Sequence, residues 1–445
     1  MQRLIDAGDT SWSIAGGNLR ADMHETIDAL RAQQGADMLE TVSPANERRY
    51  ERITSIRRVL PHDVTLAPFV EIAADPATRI ISFTVTEAGY YLDDANRLDP
   101  RYADLASDLA GVTHFTIYGA MALLLDARMR RSGGPVTLLN CDNLRHNGER
   151  FRGGLLEFMQ RRGQHELLAW VHMNTSCPNA MVDRITPRPS PEVRERVKAA
   201  IGVDDPVALM AEDFIQWVIE ADFRNGRPDW ERVGVQMVPS VQPYEEAKIR
   251  ILNASHSCIA WAGTLVGYQY IHEGTHDERI RRMAHDYVTD DVIPCLHTNE
   301  RPSPIDLAAY RDTVLARFGN PAIRDTNQRV AMDGFSKIPG FIAPTVRERL
   351  AASASIASVA RLPALFLAFL QRWHQGALPY TYQDQGMDPA VAHAICDSAD
   401  PVKALCEDRG LWGGIAGHEA LRSAVERASQ EVRQFVDEHA GGKRG

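Results

Sequence analysis

The chain has 445 residues, 44% apolar and 24% charged, with a formal net charge of −10. That length is too great for one small core and points to two domains, while the acidic balance argues against nucleic acid or an anionic membrane as the main partner. No run reaches the ~18 consecutive apolar residues of a membrane span, and residues 1–9 lack the apolar stretch of a secretory signal.

In chain order, Trp12 to Gly16 reads as a strand, and Met23 to Gln34 as a helix with apolar spacing at Met23, Ile27 and Leu30. Ile80 to Thr86 is short and β-branched, which predicts a buried strand. Asp108 to Met129 reads as one helix, Pro135 to Cys141 as the next strand, and Leu167 to Met173 as another. Strands separated by helices indicate βαβ units and a doubly wound parallel sheet. From Pro243 onward the apolar period is helical, interrupted by Pro294, Pro302, Pro304, Pro321, Pro339 and Pro344. The predicted class is α/β plus all-α. A Rossmann-like domain spans 1–240, and a mostly helical domain holding the reacting groups spans 241–445. The six cysteines (Cys141, Cys177, Cys258, Cys295, Cys396 and Cys406) show no C-x-x-C spacing. They read as reduced thiols of a cytoplasmic protein. His272 and His276 are four apart but have no third ligand in a metal pattern, so no metal is expected.

The stretch from Lys248 to His256 carries the chemistry. On a regular α-helix Lys248, Asn253 and His256 fall at roughly 0°, 140° and 80°, all on one side. A cavity facing that side meets an amine, an amide and an imidazole, which can take a proton from a hydroxyl and steady the alkoxide left behind. The competing reading is an exposed lysine beside two polar residues that satisfy a core. Glu245 lies one turn earlier, and the run Ser257 to Gly263 is apolar. Such surroundings disfavour an ammonium and favour a lysine acting as a base.

The K-x-x-x-x-N-x-x-H spacing of Lys248 to His256 resembles the signature of the polyol-specific long-chain dehydrogenases. The resemblance extends through Cys141 to Leu144, Pro178 to Pro187, Phe223 to Pro228, Trp230 to Gln236, Asn327 to Val330 and Asp333 to Pro339. These blocks come in the family's order across roughly residues 5 to 440. One departure concerns the start: no strand, glycine-rich turn and helix of the kind that meets a pyrophosphate precedes Trp12. Residues 1–9 resemble the segment after the family's first helix, so a start assigned to an internal methionine, or a truncated chain, is expected. Gly16 and Gly17 lack the G-x-G-x-x-G spacing and are read as the turn after the second strand.

The resemblance implies NAD-dependent oxidation of a secondary alcohol of a polyol to a ketose, without a metal. It makes Lys248 the general base, places Asn143 and Asn253 as donors to the developing alkoxide, and has His256 orient a hydroxyl. Glu245 would relay the proton onward. Asn143 stands beside the nicotinamide, Asp183 supports the site, and Arg329 and Lys337 approach substrate hydroxyls. For the last two, a structural ion pair is the alternative. Asp22, shortly after the second strand, suits the adenosine ribose of NAD, or else caps a helix. The runs Ser255 to Leu265, Tyr270 to Glu273 and Tyr287 to Leu296 resemble the members acting on D-arabinitol more than those acting on D-mannitol, which implies interconversion of D-arabinitol and D-xylulose. A hexitol dehydrogenase or fructuronate reductase of the same family is the alternative. A non-catalytic protein lacking its phosphate-binding loop is the alternative of another class. The partner is then a small polyol or ketose, and the chain is expected to be a monomer.

Overall fold

The computed structural model describes residues 1–93, 96–187 and 189–442. The chain divides into two compact units: residues 1–43 with 48–242, and residues 44–47 with 243–445.

The first unit is Rossmann-type, with parallel strands joined by helices. Ile14–Gly16 pairs in parallel with Ile56–Val59, and Ile80–Phe83, Val136–Asn140 and Thr175–Ser176 form a second parallel group in that order. Val136–Asn140 is buried along its whole length, Thr137 and Asn140 included, as befits a strand covered on both faces. Ile80–Phe83 is shorter than predicted and only half-buried. Two mixed sheets complete the unit. One sets Asp37–Val42 between Arg48–Ile53 and Leu209–Glu212, and the other sets Gln216–Glu220 between Gln236–Val238 and Ala180–Asp183. Tyr118 and Leu125 pack with Phe151, Leu155, Phe158 and Val171 in the main core beside the parallel strands.

Two predicted elements need correction. Leu167 to Met173 is not a strand but most of the helix His165–Asn174. Leu167 and Val171, four apart, are its buried residues, so the period is 3.6 and the apolar run misleads. The strand comes just after it, at Thr175–Ser176. Asp108 to Met129 is two helices, Ala103–Leu109 and Ile117–Arg130. The fully buried Asp108 carboxylate causes the break. It accepts from the Phe115 and Thr116 amides at 2.9 and 2.8 Å and from the Thr113 and Thr116 hydroxyls at 2.6 and 2.7 Å. Thr116 in turn caps the second helix by accepting from Gly119 N.

The second unit is helical. Its centre is Ala254–Val266, in which every residue except His256 is buried. A helix apolar on all sides belongs inside a bundle, and this one is flanked by Ile271–His276, Glu278–Asp286, Asn327–Ala331 and Arg361–His374. The approach of Asn327–Ala331 depends on Gly263, where a Cβ would lie 2.8 Å from Asn327 Nδ2. Three wide π-helical turns interrupt the regular helices, at Lys248–Asn253, Tyr287–Val292 and Ile338–Ile342. Two of them have a proline cause: Pro294 follows the second, while the third contains Pro339 and is followed by Pro344. A missing N–H and a ring clash disturb α-helical bonding there. Among the described residues no helix is long and apolar enough to cross a membrane, and all six cysteines are free thiols.

Candidate active site

The first turn of interest has no proline to explain it. Lys248–Asn253 is π-helical, so its hydrogen bonds join residues five apart and stack them above one another. This corrects the regular-helix expectation, which put Lys248 and Asn253 about 140° apart. The wide turn brings the two residues nearer to one side of the helix. Tertiary packing holds it open. The Arg250 carbonyl inside the turn accepts from the buried Tyr287 hydroxyl at 2.9 Å. The Arg250 guanidinium meets Glu246 at 2.8 Å and Glu348 at 2.6 Å. The turn also packs against the other two π-helical turns. Lys248 and Glu245 are buried at 6% and 4% exposure, and Asn253 is half-buried.

His256 follows one turn later as the single opening in its helix. Its ring stacks on Phe318 with centroids 4.3 Å apart and planes at 13°. Nε2 lies 3.4 Å from Asp325 Oδ2 without a hydrogen bond to it. Burial pushes the imidazole pKa down to about 3, against the attraction of Asp325 and helped by Arg329, Lys337 and Arg317. Asp325 accepts Arg329 Nε at 2.6 Å and a second bond from Nη2 of the same fork. Lys337 donates to the Val330 carbonyl at 2.5 Å, and burial pulls its pKa down to about 8 against the opposing Asp333 carboxylate. The structure therefore gathers His256, Arg329 and Lys337, and it does give Arg329 an ion pair. The partner, Asp325, was not singled out from the sequence. Its signal was present as an opposite charge four residues before Arg329.

In the first unit, residues 141–146 link the carboxyl end of Val136–Asn140 to the helix Asn147–Arg161. Ligands of open α/β sheets bind at such strand ends. Asn143 is exposed in the middle of this loop, over a polar network that sequence reasoning missed. Asp142 accepts from the Tyr90 hydroxyl and the Val85 amide, both at 2.5 Å, and its own amide donates to Asn140 Oδ1 at 2.8 Å. Asn147 donates to the Asp142 and Ala180 carbonyls at 3.0 and 2.7 Å. Gly148 is required here, because a Cβ would come within 2.4 Å of the Cys177 carbonyl oxygen.

Asp22 lies in a short turn after Ile14–Gly16, where Asn18 Nδ2 donates to it at 3.2 Å. Neither its own turn nor the helix His24–Ala32 has a side-chain cap, which removes the capping alternative. Asp22 is thus an exposed carboxylate six residues beyond a parallel strand. Gly17 has a packing reason of its own, since a Cβ there would lie 2.8 Å from the Leu60 carbonyl oxygen. Asp183, grouped above with Arg329 and Lys337, is buried in the first unit at the end of Ala180–Asp183, opposite Gln216.

A Rossmann-type unit followed by a helical unit with a buried lysine and a dry histidine defines a two-domain dehydrogenase. Comparison with known proteins narrows the class. Residues 3–232 match the mannitol dehydrogenase Rossmann domain and residues 240–433 match the mannitol dehydrogenase C-terminal domain. The chain belongs to the mannitol dehydrogenase family. It is 60% identical over 424 residues to a D-arabinitol 4-dehydrogenase of Ralstonia nicotianae, covering 95% of this chain and 90% of that one. It is 54% identical over 437 residues to the D-arabinitol 4-dehydrogenase of Klebsiella pneumoniae, covering 98% and 95%. Among solved structures, a substrate-free D-sorbitol dehydrogenase superposes with a TM-score of 0.87 at 32% identity, covering 98% of this chain and 90% of that one. Mannitol 2-dehydrogenase of Pseudomonas fluorescens, in a ternary complex with NAD and D-mannitol, gives 0.82 at 32% identity, covering 98% and 89%.

Proposed function

We propose that the protein is an NAD-dependent polyol dehydrogenase that oxidises D-arabinitol to D-xylulose. The observation that carries the mechanism is the buried Lys248 in a π-helical turn that also holds Asn253. NAD, when bound, supplies the hydride acceptor. Lys248 takes the hydroxyl proton, and Glu245, buried one turn earlier, passes it towards solvent. Asn253 and Asn143 donate to the oxygen as negative charge develops on it. His256 orients a hydroxyl, Arg329 and Lys337 hold the remote ones, and Asp183 supports the fold of the first unit near its site. Asp22 accepts from the adenosine ribose.

The pentitol is preferred over the hexitol reading because both of the more similar relatives are D-arabinitol 4-dehydrogenases. One hydroxyl-bearing carbon distinguishes the two classes, and such differences are discriminated modestly, so slower turnover of D-mannitol is expected. Initial rates with NAD across a panel of pentitols and hexitols test the reading. A kcat/KM for D-mannitol well above that for D-arabinitol would overturn the substrate, and no NAD reduction with any polyol would overturn the class. The working unit is taken as a monomer, against which a defined dimer in light scattering would count.

A further inference from the structure

We propose that Asp325 is a positioning residue of this site, which locks the Arg329 fork beside His256. The inference rests on the polyol dehydrogenase reading and adds a residue to it.

Three observations carry it. First, Asp325 is itself anchored. Its carbonyl accepts from the Ile271 amide at 2.9 Å, the next residue bridges to Tyr270, and Thr326 caps Asn327–Ala331 by accepting from Arg329 N. Its side chain is only 9% exposed. Second, both carboxylate oxygens take N–H groups of one guanidinium, through Nε and Nη2. A bidentate fork fixes the guanidinium plane, which leaves Nη1 with two donors for a planar or vicinal set of hydroxyls. Third, the same Oδ2 that meets Nη2 lies 3.4 Å from His256 Nε2. The carboxylate that orients the guanidinium thus stands beside the imidazole, and Arg329 is held there as a hydroxyl donor. The other charged groups facing the imidazole, Arg317, Arg329 and Lys337, are all cationic.

The test uses the full chain with NAD and D-arabinitol. Asp325→Asn keeps the shape and removes the charge. KM for the polyol is expected to rise about ten- to hundredfold, the range of a lost charged hydrogen bond, with kcat changed far less and NAD binding unchanged. Asp325→Glu is expected to recover part of the loss. The double variant with Arg329→Gln is expected to be little worse than Arg329→Gln alone, because Asp325 acts through that residue. An unchanged KM, or a double variant whose losses simply multiply, would overturn the proposal. If Asp325→Asn does not fold, Arg329→Gln decides alone: it must raise KM by a similar factor, and normal KM rejects the arrangement. Wild-type enzyme that reduces no NAD with any polyol would instead defeat the functional reading, so the two failures are distinct.

Discussion

The two units offer their reactive candidates in opposite ways. In the first, Asn143 is exposed on a loop whose support, Asp142, Tyr90, Asn140 and Asn147, is buried beneath it. In the second, Lys248, Glu245 and most of the His256 ring are themselves inside, and the support is a distorted helix. A loop can be placed by hydrogen bonds from below while its tip stays wet. A proton-transfer group needs a dry setting, and dryness comes from burial.

Lys248→Ala is the strongest test of the buried side. General bases contribute about 10²–10⁴-fold, so kcat/KM for polyol oxidation is expected to fall by that range. Calorimetric NAD affinity should stay near wild type, and a small primary amine should restore part of the rate. Retention of more than about a tenth of kcat/KM would mean the buried helix is not where the proton goes. The loop side is tested by Asp142→Asn. This puts an amide N–H against the Tyr90 or Val85 donors, so unfolding free energy is expected to drop by about 1–3 kcal/mol, read by chemical denaturation. An unaltered denaturation midpoint would show that the network does not hold the loop.

How much of this contrast is visible in the sequence differs by element. Pro135 to Cys141 reads correctly because its Val, Thr and Leu residues favour a strand and are too few for a helix of ordinary length. Leu167 to Met173 misleads for the same reason, since seven apolar-rich residues fit a strand or a buried helix turn alike. The Lys248, Asn253 and His256 spacing marks a candidate reactive face, yet the π-helical register of Lys248–Asn253 has no sequence signature. It depends on Tyr287 and Glu348, 37 and 98 residues away from Arg250. The Asp142 network is similarly long-range, drawing on Val85 and Tyr90 from 57 and 52 residues before.

Lys337 lies between the extremes. Its pKa is pulled down to about 8, so the ammonium is present below that pH and is lost as pH rises through it. If it holds a substrate hydroxyl, KM is expected to rise by about tenfold between pH 7 and 9.5 in wild type. Lys337→Met should start from the high KM and show no such rise. A wild-type KM flat across this window would remove Lys337 from substrate binding.

The smallest expected effect is an absence, and it probes dryness directly. His256 is held neutral by burial, with a pKa of about 3 against an ordinary value of about 6.5. Its side-chain carbon resonances should therefore stay constant from pH 8 to 5, while exposed histidines titrate. The linkage has a defined sign. The unfolded chain takes up a proton on this residue below about 6.5 and the folded one does not. His256 therefore removes stability as pH falls from about 6.5 towards 3 and contributes no pH dependence above that window. His256→Gln should flatten that part of the stability profile, whatever constant offset the lost stacking on Phe318 adds at every pH. A midpoint near 6 for the His256 resonance would show that water and a proton reach the ring beside Asp325. The helix face would then be as wet as the Asn143 loop, and burial would no longer support Lys248 as the proposed base.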